Sequence, residues 1–167
     1  GDLRKLELTQ HRADNSDTDN FVLLNDQAAP SVYVVQSGIA LGGLATHKEV
    51  FTSTANNYQM AADQNELKVA LEWTSPDGVK LTKTYTFVRG SYEVKVDQVI
   101  NNASAATIDP LAYYQIVHDS ESSQGTKMMP TFTGGAYFTD ADKYKKVKFA
   151  DMAKEPLSKL TKDGWVG

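Results

Sequence analysis

The sequence reads Glu66-Leu-Lys-Val-Ala-Leu-Glu-Trp-Thr74, then Ser75-Pro-Asp-Gly78, then Val79-Lys-Leu-Thr-Lys-Thr-Tyr-Thr-Phe-Val88. Apolar side chains at every second position are typical of a β-strand that buries one face. In the linking segment the proline presets φ for a turn, and Gly78 accepts a positive φ. The stretch therefore predicts a β-hairpin with these inward positions: Leu67, Val69, Leu71, Trp73, Val79, Leu81, Tyr85 and Phe87.

Lys83 interrupts the apolar face of the second predicted strand. Two arrangements would accommodate it. Its ammonium group could extend to water at the edge of the sheet, or a β-bulge could shift the register so that the side chain points outward. Both alternatives keep the charge in contact with solvent.

Further alternating runs predict strands on both sides of this hairpin. Tyr92–Ile100 carries apolar residues at alternate positions, with Tyr92 expected to face inward, and Leu111–Val117 follows after a turn. Strands separated by turn residues at this spacing favour a β-sandwich or a barrel. The remaining strand candidates are Leu3–Thr9, Phe21–Leu24, Val32–Ser37 and Tyr58–Ala62.

The C-terminal part of the chain has a different pattern. Thr139-Asp-Ala-Asp142 resembles a helix-capping box, and Tyr144, Val147 and Asp151-Met152 behind it fit helical spacing, so we predict a short helix there. Residues 143–162 also carry seven lysines and only two acidic residues. A basic segment near the end of a chain with a net charge of −4 is its clearest electrostatic asymmetry.

The composition limits the classes of function. The length of 167 residues is typical of one domain, and 17 Lys+Arg against 21 Asp+Glu argue against nucleic-acid binding. The chain has no cysteine, which excludes disulfides and thiolate zinc sites. The uncharged run Val32–Thr46 is too short to span a membrane, and no signal peptide is visible. We therefore expect a soluble domain, which a longer protein could contain.

Residues suited to catalysis are few and scattered. His11, His47 and His118 lie at no metal-ligand spacing, and no GxSxG nucleophile motif is present. His118 beside Asp119 and near Glu121 could act as a base with an orienting carboxylate, although a strand end followed by a loop explains the same residues. We predict no catalytic residue, no metal ion and no cofactor.

Three ordered segments resemble one known family. They are Thr82–Tyr92 with Val94-Lys-Val96 and Asn101-Asn102, then Thr133-Gly-Gly-Ala-Tyr-Phe-Thr139 with Lys143–Phe149, then Lys162-Asp-Gly-Trp-Val166. The set resembles the large periplasmic domain of the YidC family of membrane protein insertases of Gram-negative bacteria, from about Leu3 to the C-terminus. Asp163 departs from the family, which commonly has a glycine there.

The resemblance implies a mainly β fold, a β-supersandwich similar to galactose mutarotase, with short helices near the C-terminus. It implies that residues 1–163 form a periplasmic domain of an inner-membrane protein, and that residues 164–167 begin a juxtamembrane amphipathic segment. The full-length protein would assist the insertion and folding of nascent inner-membrane proteins. Its expected partners are subunits of the Sec translocon, with SecDF as the candidate, and the membrane surface near the C-terminus.

Two functions remain open at this point. The first is a non-catalytic interaction domain, for which the outward side of the Leu67–Ile100 region is the expected contact surface. The second is a carbohydrate-binding or mutarotase-like domain, since the fold type permits it. The residues expected to contact a partner are Lys80, Thr82, Thr84 and Lys95. The residues expected to lie near the membrane are Lys154, Lys159, Lys162 and Trp165.

Overall fold

A computed structural model of the chain describes residues 1–13, 16–27, 32–40, 43–119, 132, 134–159 and 162–167. The predicted fold class is confirmed, because 51% of the described residues lie in strands and 3% in helix, and the one short helix among them is near the C-terminus. No helix in these ranges is long and apolar enough to cross a membrane. The elements are β1 (Leu6–Arg12), β2 (Asn20–Leu24), β3 (Tyr33–Ile39), β4 (Thr52–Ser53), β5 (Glu66–Thr74), β6 (Val79–Val88), β7 (Val94–Asn102), β8 (Ala112–His118), β9 (Gly134–Thr139), β10 (Lys143–Lys148), α1 (Phe149–Met152) and β11 (Gly164–Val166).

The chain divides into two compact units. The first unit consists of Gly1–Leu3 and Val35–Gln115, and the second of Arg4–Val34 and Ile116–Gly167. The boundaries expected from the family resemblance, 1–163 and 164–167, stay a prediction.

The first unit contains a four-stranded antiparallel sheet in the order β4-β5-β6-β7. The predicted hairpin is confirmed as β5 and β6, which pair without a register shift from Glu66 opposite Val88 to Thr74 opposite Lys80. Gly78 has a φ of 86° at the turn. The hydroxyl of Ser75 accepts a hydrogen bond of 3.0 Å from the amide of Val79, so the turn satisfies its own backbone.

One side of this sheet carries the hydrophobic core of the first unit. Leu81 is fully buried, and Val79 packs with it against side chains from outside the sheet. Trp73 is half-buried against this cluster, as the alternation of β5 predicts. Burial of such apolar surface is the main favourable term in folding. The remaining buried members are Ile39, Leu44 and Ala45, with Phe51, Ile100 and Ile108 partly buried around them.

The inward orientation predicted for Tyr92 is wrong. Its side chain is 70% exposed, because β7 begins only at Val94 and Tyr92 lies in the segment before the strand. The backbone amide of Ser91 donates to the carbonyl of Val88, which closes a turn just before Tyr92.

Both arrangements predicted for Lys83 are also wrong. Its side chain is fully buried. The strand stays in register at this position without a bulge, and Lys83 pairs with Leu71 of β5 and Gln98 of β7. The ammonium group donates to the carbonyl of Ser37 at 2.7 Å and to that of Gly1 at 3.1 Å. Burial lowers the pKa of Lys83, and the negative charge of Asp2 opposes that shift. Backbone carbonyls, rather than water, therefore accommodate this lysine.

The second unit contains a β1–β2 pair and a three-stranded antiparallel sheet in the order β10-β9-β11. The predicted short helix is confirmed only at its end, since Asp151 and Met152 lie in α1 (Phe149–Met152). Its first part is wrong, because Tyr144 and Val147 lie in β10. The motif read as a helix cap closes a turn between strands. The hydroxyl of Thr139 accepts a hydrogen bond of 2.9 Å from the amide of Asp142.

The shorter strand predictions have mixed outcomes. β2 and β3 agree with the predictions within a few residues, and β3 pairs with β8. β1 begins three residues later than predicted. The strand predicted for Tyr58–Ala62 is wrong, because this segment folds as a loop. The hydroxyl of Tyr58 lies 2.6 Å from that of Ser53 and accepts from the amide of Ala55, which fixes the loop locally.

Candidate functional site

The side of the four-stranded sheet opposite the core is here called the outer face. Its central line runs along β6 through Thr82 and Thr84, both half-buried. The register sets Thr82 between Glu72 and Val99, and Thr84 between neighbours on β5 and β7. The paired positions on this face are Glu66–Val88, Lys68–Thr86–Lys95, Ala70–Thr84–Asp97, Glu72–Thr82–Val99 and Thr74–Lys80–Asn101.

The predicted contact residues Lys80 and Lys95 lie on the outer face, and each is in an ion pair. Lys80 Nζ is 2.8 Å from Glu72, and Lys95 Nζ is 3.2 Å from Asp97. All of these side chains are largely exposed, so each pair adds little stability. The pairing leaves the face balanced in charge, with threonine hydroxyls at its centre.

The outer face also contains exposed apolar side chains, and Val88 at the end of β6 is 47% exposed. Val99 on β7 is 61% exposed and lies opposite Thr82. In the part of the chain that the structure describes, β7 pairs only with β6, so its other edge carries no strand. Near the middle of that edge, the hydroxyl of Tyr114 donates to the carbonyl of Val96 at 3.4 Å.

The adjacent tyrosines of β8 point in different directions, as expected for neighbours on a strand. The hydroxyl of Tyr113 accepts a hydrogen bond of 2.9 Å from the amide of His47 and lies 2.6 Å from His47 Nδ1. Gly38 lies against this hydroxyl with no room for a side chain. Tyr114 is more than half exposed. Tyr113 therefore serves the packing of the first unit, whereas Tyr114 remains available for contacts.

The lysines predicted to lie near the membrane have different surroundings. Lys159 Nζ is 2.9 Å from Asp142, and this hydrogen bond lowers the pKa of Asp142 and raises that of Lys159. Lys154 Nζ is 3.9 Å from Asp151. Lys162 is exposed, and Trp165 lies in β11 with half of its side chain exposed. Acidic partners thus offset the charge of two of the three lysines.

His118 lies at the end of β8 among aromatic rings. Its ring packs edge-on to Tyr33 at 4.8 Å and stacks on Phe149 at 5.4 Å. Nδ1 contacts the carbonyl of Asp119 and is 3.9 Å from Oδ1 of the same residue. Asp119 also accepts from the amide of Val32 at 2.6 Å. These contacts fit a strand end held in place, and Glu121, the other predicted member, lies outside the described residues.

Metal-binding geometry is absent from the described ranges, where no group of three His, Asp or Glu side chains could hold an ion.

One feature of the surface was missed by reasoning from the sequence. The register aligns Tyr144 of β10, Phe138 of β9 and Trp165 of β11 across one face of the three-stranded sheet. The sequence of β10 gave no signal for it, because each side of this strand carries two lysines and one apolar residue. The resemblance to a capping box also led to a reading with helical spacing.

Comparison with known proteins assigns the chain to a family. The profile of the YidC periplasmic domain matches residues 1–167, which is the whole chain. The membrane protein insertase YidC of Methylobacillus flagellatus is 57% identical over 167 residues. The proteins of the same name from Aromatoleum aromaticum and Shewanella halifaxensis are 40% and 37% identical over 170 residues each.

These alignments cover the chain and only part of each relative. They include 100% of the chain for the first relative and 99% for the other two. The chain spans 30% of the length of the first relative and 31% of the other two. Most of each relative therefore lies outside the region compared.

Proposed function

The chain belongs to the family of YidC periplasmic domains, and we propose that it is a non-catalytic interaction domain of a membrane protein insertase. The predicted periplasmic location is confirmed by the family. In this proposal the full-length protein assists the insertion and folding of inner-membrane proteins. The domain contacts subunits of the Sec translocon, with SecDF as the candidate, or the periplasmic segments of nascent substrates.

The outer face is the observation that carries this proposal. It presents exposed, charge-balanced side chains around Thr82 and Thr84, with the exposed Val99 beside them. Hydroxyls can donate or accept hydrogen bonds, and paired charges avoid the cost of burying one unpartnered ion. A mixed polar and apolar surface of this kind suits a transient protein contact. The edge of β7 would also accept an extended segment as an added strand, once Tyr114 leaves the carbonyl of Val96.

Site-specific photocrosslinking in the full-length insertase tests the proposal in living cells. A photoreactive amino acid is placed at Thr82 or Thr84, and covalent products are identified with antibodies to Sec subunits and to a nascent inner-membrane protein. Gln10 in β1 is the matched control, since it is an exposed strand residue of the second unit. Position-dependent products at Thr82 and Thr84 are expected. Capture no stronger than at Gln10 would contradict the proposal.

A carbohydrate-binding or mutarotase-like domain is the second candidate. The observation that favours it is His118 between Tyr33 and Phe149, because aromatic rings with a polar group form typical sugar sites. Mutarotation needs a general acid and a general base on the substrate ring. Titration with glucose and galactose followed by NMR, together with an anomer-exchange assay, separates the two candidates. Exchange that is lost in His118→Ala would favour the enzyme.

We also propose that the C-terminal end of the domain lies close to the bilayer. Lys154, Lys159, Lys162 and Trp165 are the residues that sequence reasoning assigns to this role. Basic side chains near an anionic surface and a tryptophan at the interface are both favourable. The ion pairs of Lys154 and Lys159 reduce their contribution, so the contact needs additional residues.

A further inference from the structure

The three-stranded sheet of the second unit presents an exposed aromatic row. Tyr144, Phe138 and Trp165 are paired across β10, β9 and β11. The ring centroids of Tyr144 and Trp165 are 6.0 Å apart. Tyr144 is 53% exposed and Trp165 52%. Two amphipathic rings therefore lie side by side with half of their area in contact with water.

Lysines surround this row. Lys146 Nζ lies 4.8 Å from the ring centroid of Phe132, and Lys143 Nζ lies 5.8 Å from that of Phe138. Lys148 is on the same side of β10 as Lys146, two residues further along the strand. None of these lysines forms an ion pair with a carboxylate of the described residues, in contrast to Lys80 and Lys95 on the outer face. Their charge is available to an external partner.

Part of the opposite side of the same sheet is covered from within the second unit. The side chain of Met152, from α1, packs against Gly135, where an added side chain would collide with it. Val147 lies opposite Gly135 and is half-buried. The end of that side next to α1 is therefore used for packing, whereas Val166 at its other edge is exposed. The side with the aromatic row is left open.

We propose that the open side, here called the aromatic–lysine face, binds the surface of a bilayer that contains anionic phospholipid. Its defining residues are Tyr144, Phe138, Trp165, Lys143, Lys146 and Lys148. Tryptophan and tyrosine partition to the level of the lipid headgroups, with the ring in the apolar boundary and the polar group in water. Unpaired lysines beside them complement negatively charged headgroups.

This inference rests on the proposed function, because the insertase places the domain next to a membrane. It shares Trp165 with the C-terminal assignment and differs from it in its lysines. The aromatic–lysine face comes from the paired strands β9, β10 and β11, which hold its side chains in a defined plane. Lys154 and Lys159, by contrast, already form ion pairs with carboxylates of the same chain.

Fluorescence of Trp165 provides a direct readout with the 167-residue chain. The chain has two tryptophans, so Trp73→Phe leaves Trp165 as the only one. The chain is titrated with phosphatidylcholine vesicles that contain or lack phosphatidylglycerol, at low and high salt. A blue shift with the anionic vesicles, weakened by salt and absent with phosphatidylcholine alone, is expected. No shift at low salt would overturn the proposal.

Charge variants then locate the surface. Lys143→Gln, Lys146→Gln and Lys148→Gln combined should weaken binding to the anionic vesicles by about tenfold or more. The matched control combines Lys68→Gln, Lys80→Gln and Lys95→Gln, which changes the net charge equally on the outer face and should alter binding by less than about twofold. Far-UV circular dichroism verifies that each variant is folded. Equal weakening by both sets would mean that net charge alone acts, and would overturn the proposal.

Two further variants distinguish this inference from the proposals it rests on. Tyr144→Ser should weaken binding although it does not change the charge. If non-specific electrostatic attraction of lysines to lipid were the only cause of binding, this variant would bind as wild type does. Lys154→Gln, Lys159→Gln and Lys162→Gln combined should weaken binding less than the β10 set. A larger effect of this C-terminal set would overturn the aromatic–lysine face and support the C-terminal assignment. Crosslinking at Thr82 and Thr84 is independent of every one of these results.

Discussion

The hairpins β5–β6 and β9–β10 have the same architecture and very different sequences. Both are antiparallel and paired without a register shift along their length. In β6, Val79, Leu81, Lys83 and Tyr85 are buried, and Lys80, Thr82 and Thr84 between them are half-buried. In β10, only Val147 is even half-buried. The first hairpin was predicted from its residues, whereas the second was taken for a helix.

The difference shows why some strands have apolar residues at alternate positions and others do not. A strand needs apolar residues at alternate positions only when one of its faces is buried. β10 is an edge strand whose lysines extend into water, and its backbone hydrogen bonds to β9 are enough to define it. An exposed strand therefore carries no hydrophobic pattern, and its residues are equally compatible with a helix.

The largest expected effect separates the two tryptophans of the chain. Trp73→Ala should destabilise the protein by about 3–5 kcal/mol, because it removes a large side chain packed on the core of the first unit. Trp165→Ala should cost less than about 1 kcal/mol, since that ring is half exposed on the aromatic–lysine face. Urea unfolding followed by circular dichroism measures both. Similar midpoints for the two variants would contradict the assignment of their environments.

The next effect concerns pH and the buried strand β6. Burial raises the pKa of Tyr85 to about 12, and its hydroxyl donates to the carbonyl of Gly1 at 2.7 Å. In the unfolded chain the phenol ionises near pH 10, so between pH 10 and 12 the folded state holds a proton that the unfolded state has lost. Stability therefore falls across this window, by about 2–3 kcal/mol from this residue.

Tyr85→Phe tests that window by comparison with wild type. The variant is expected to lose less stability than wild type between pH 9 and pH 12, although it lacks one hydrogen bond at every pH. Urea midpoints at several pH values in this range provide the measurement. Parallel curves for variant and wild type would show that Tyr85 ionises normally in the folded state.

A smaller effect tests the turn that was read as a helix cap. Thr139→Val keeps the shape of the side chain and removes the acceptor for the amide of Asp142, so it should cost about 1 kcal/mol. Thr86→Val is the control in β6. It is similarly buried, and its hydroxyl has no partner among the described residues. That control should be neutral or slightly stabilising. Hydrogen exchange at Asp142 should accelerate only in the first variant.

The smallest effect is electrostatic and local to the same turn. Lys159→Gln should raise the pKa of Asp142 toward its usual value, because the hydrogen bond from Lys159 is the main cause of its lowered pKa. The pair stabilises the fold above the unfolded pKa of the carboxyl, and this contribution is lost as pH falls through the lower folded pKa. An NMR titration of the Asp142 carboxyl measures the shift. Lys154→Gln, which removes the same charge elsewhere, should leave it unchanged.

The amino-acid sequence by itself determined the parts of this protein in which one face of a strand is buried. The alternation from Glu66 to Val88 predicted β5, β6, their turn and the inward position of Trp73. This was possible because burial of one face of a strand requires apolar side chains at every second position. Three ordered segments also predicted the family, which the match over the whole chain confirms.

The tertiary structure alone decided the features that depend on partners distant in the chain. Lys83 is buried because the carbonyls of Gly1 and Ser37, from other segments, lie within reach of its ammonium group. Thr139 closes a turn because β10 has β9 to pair with. Trp165 joins Tyr144 and Phe138 only through the register of three strands. Hydrogen bonds and contacts between distant segments produce no periodic pattern in the local sequence. Only the folded structure therefore shows that these residues are neighbours.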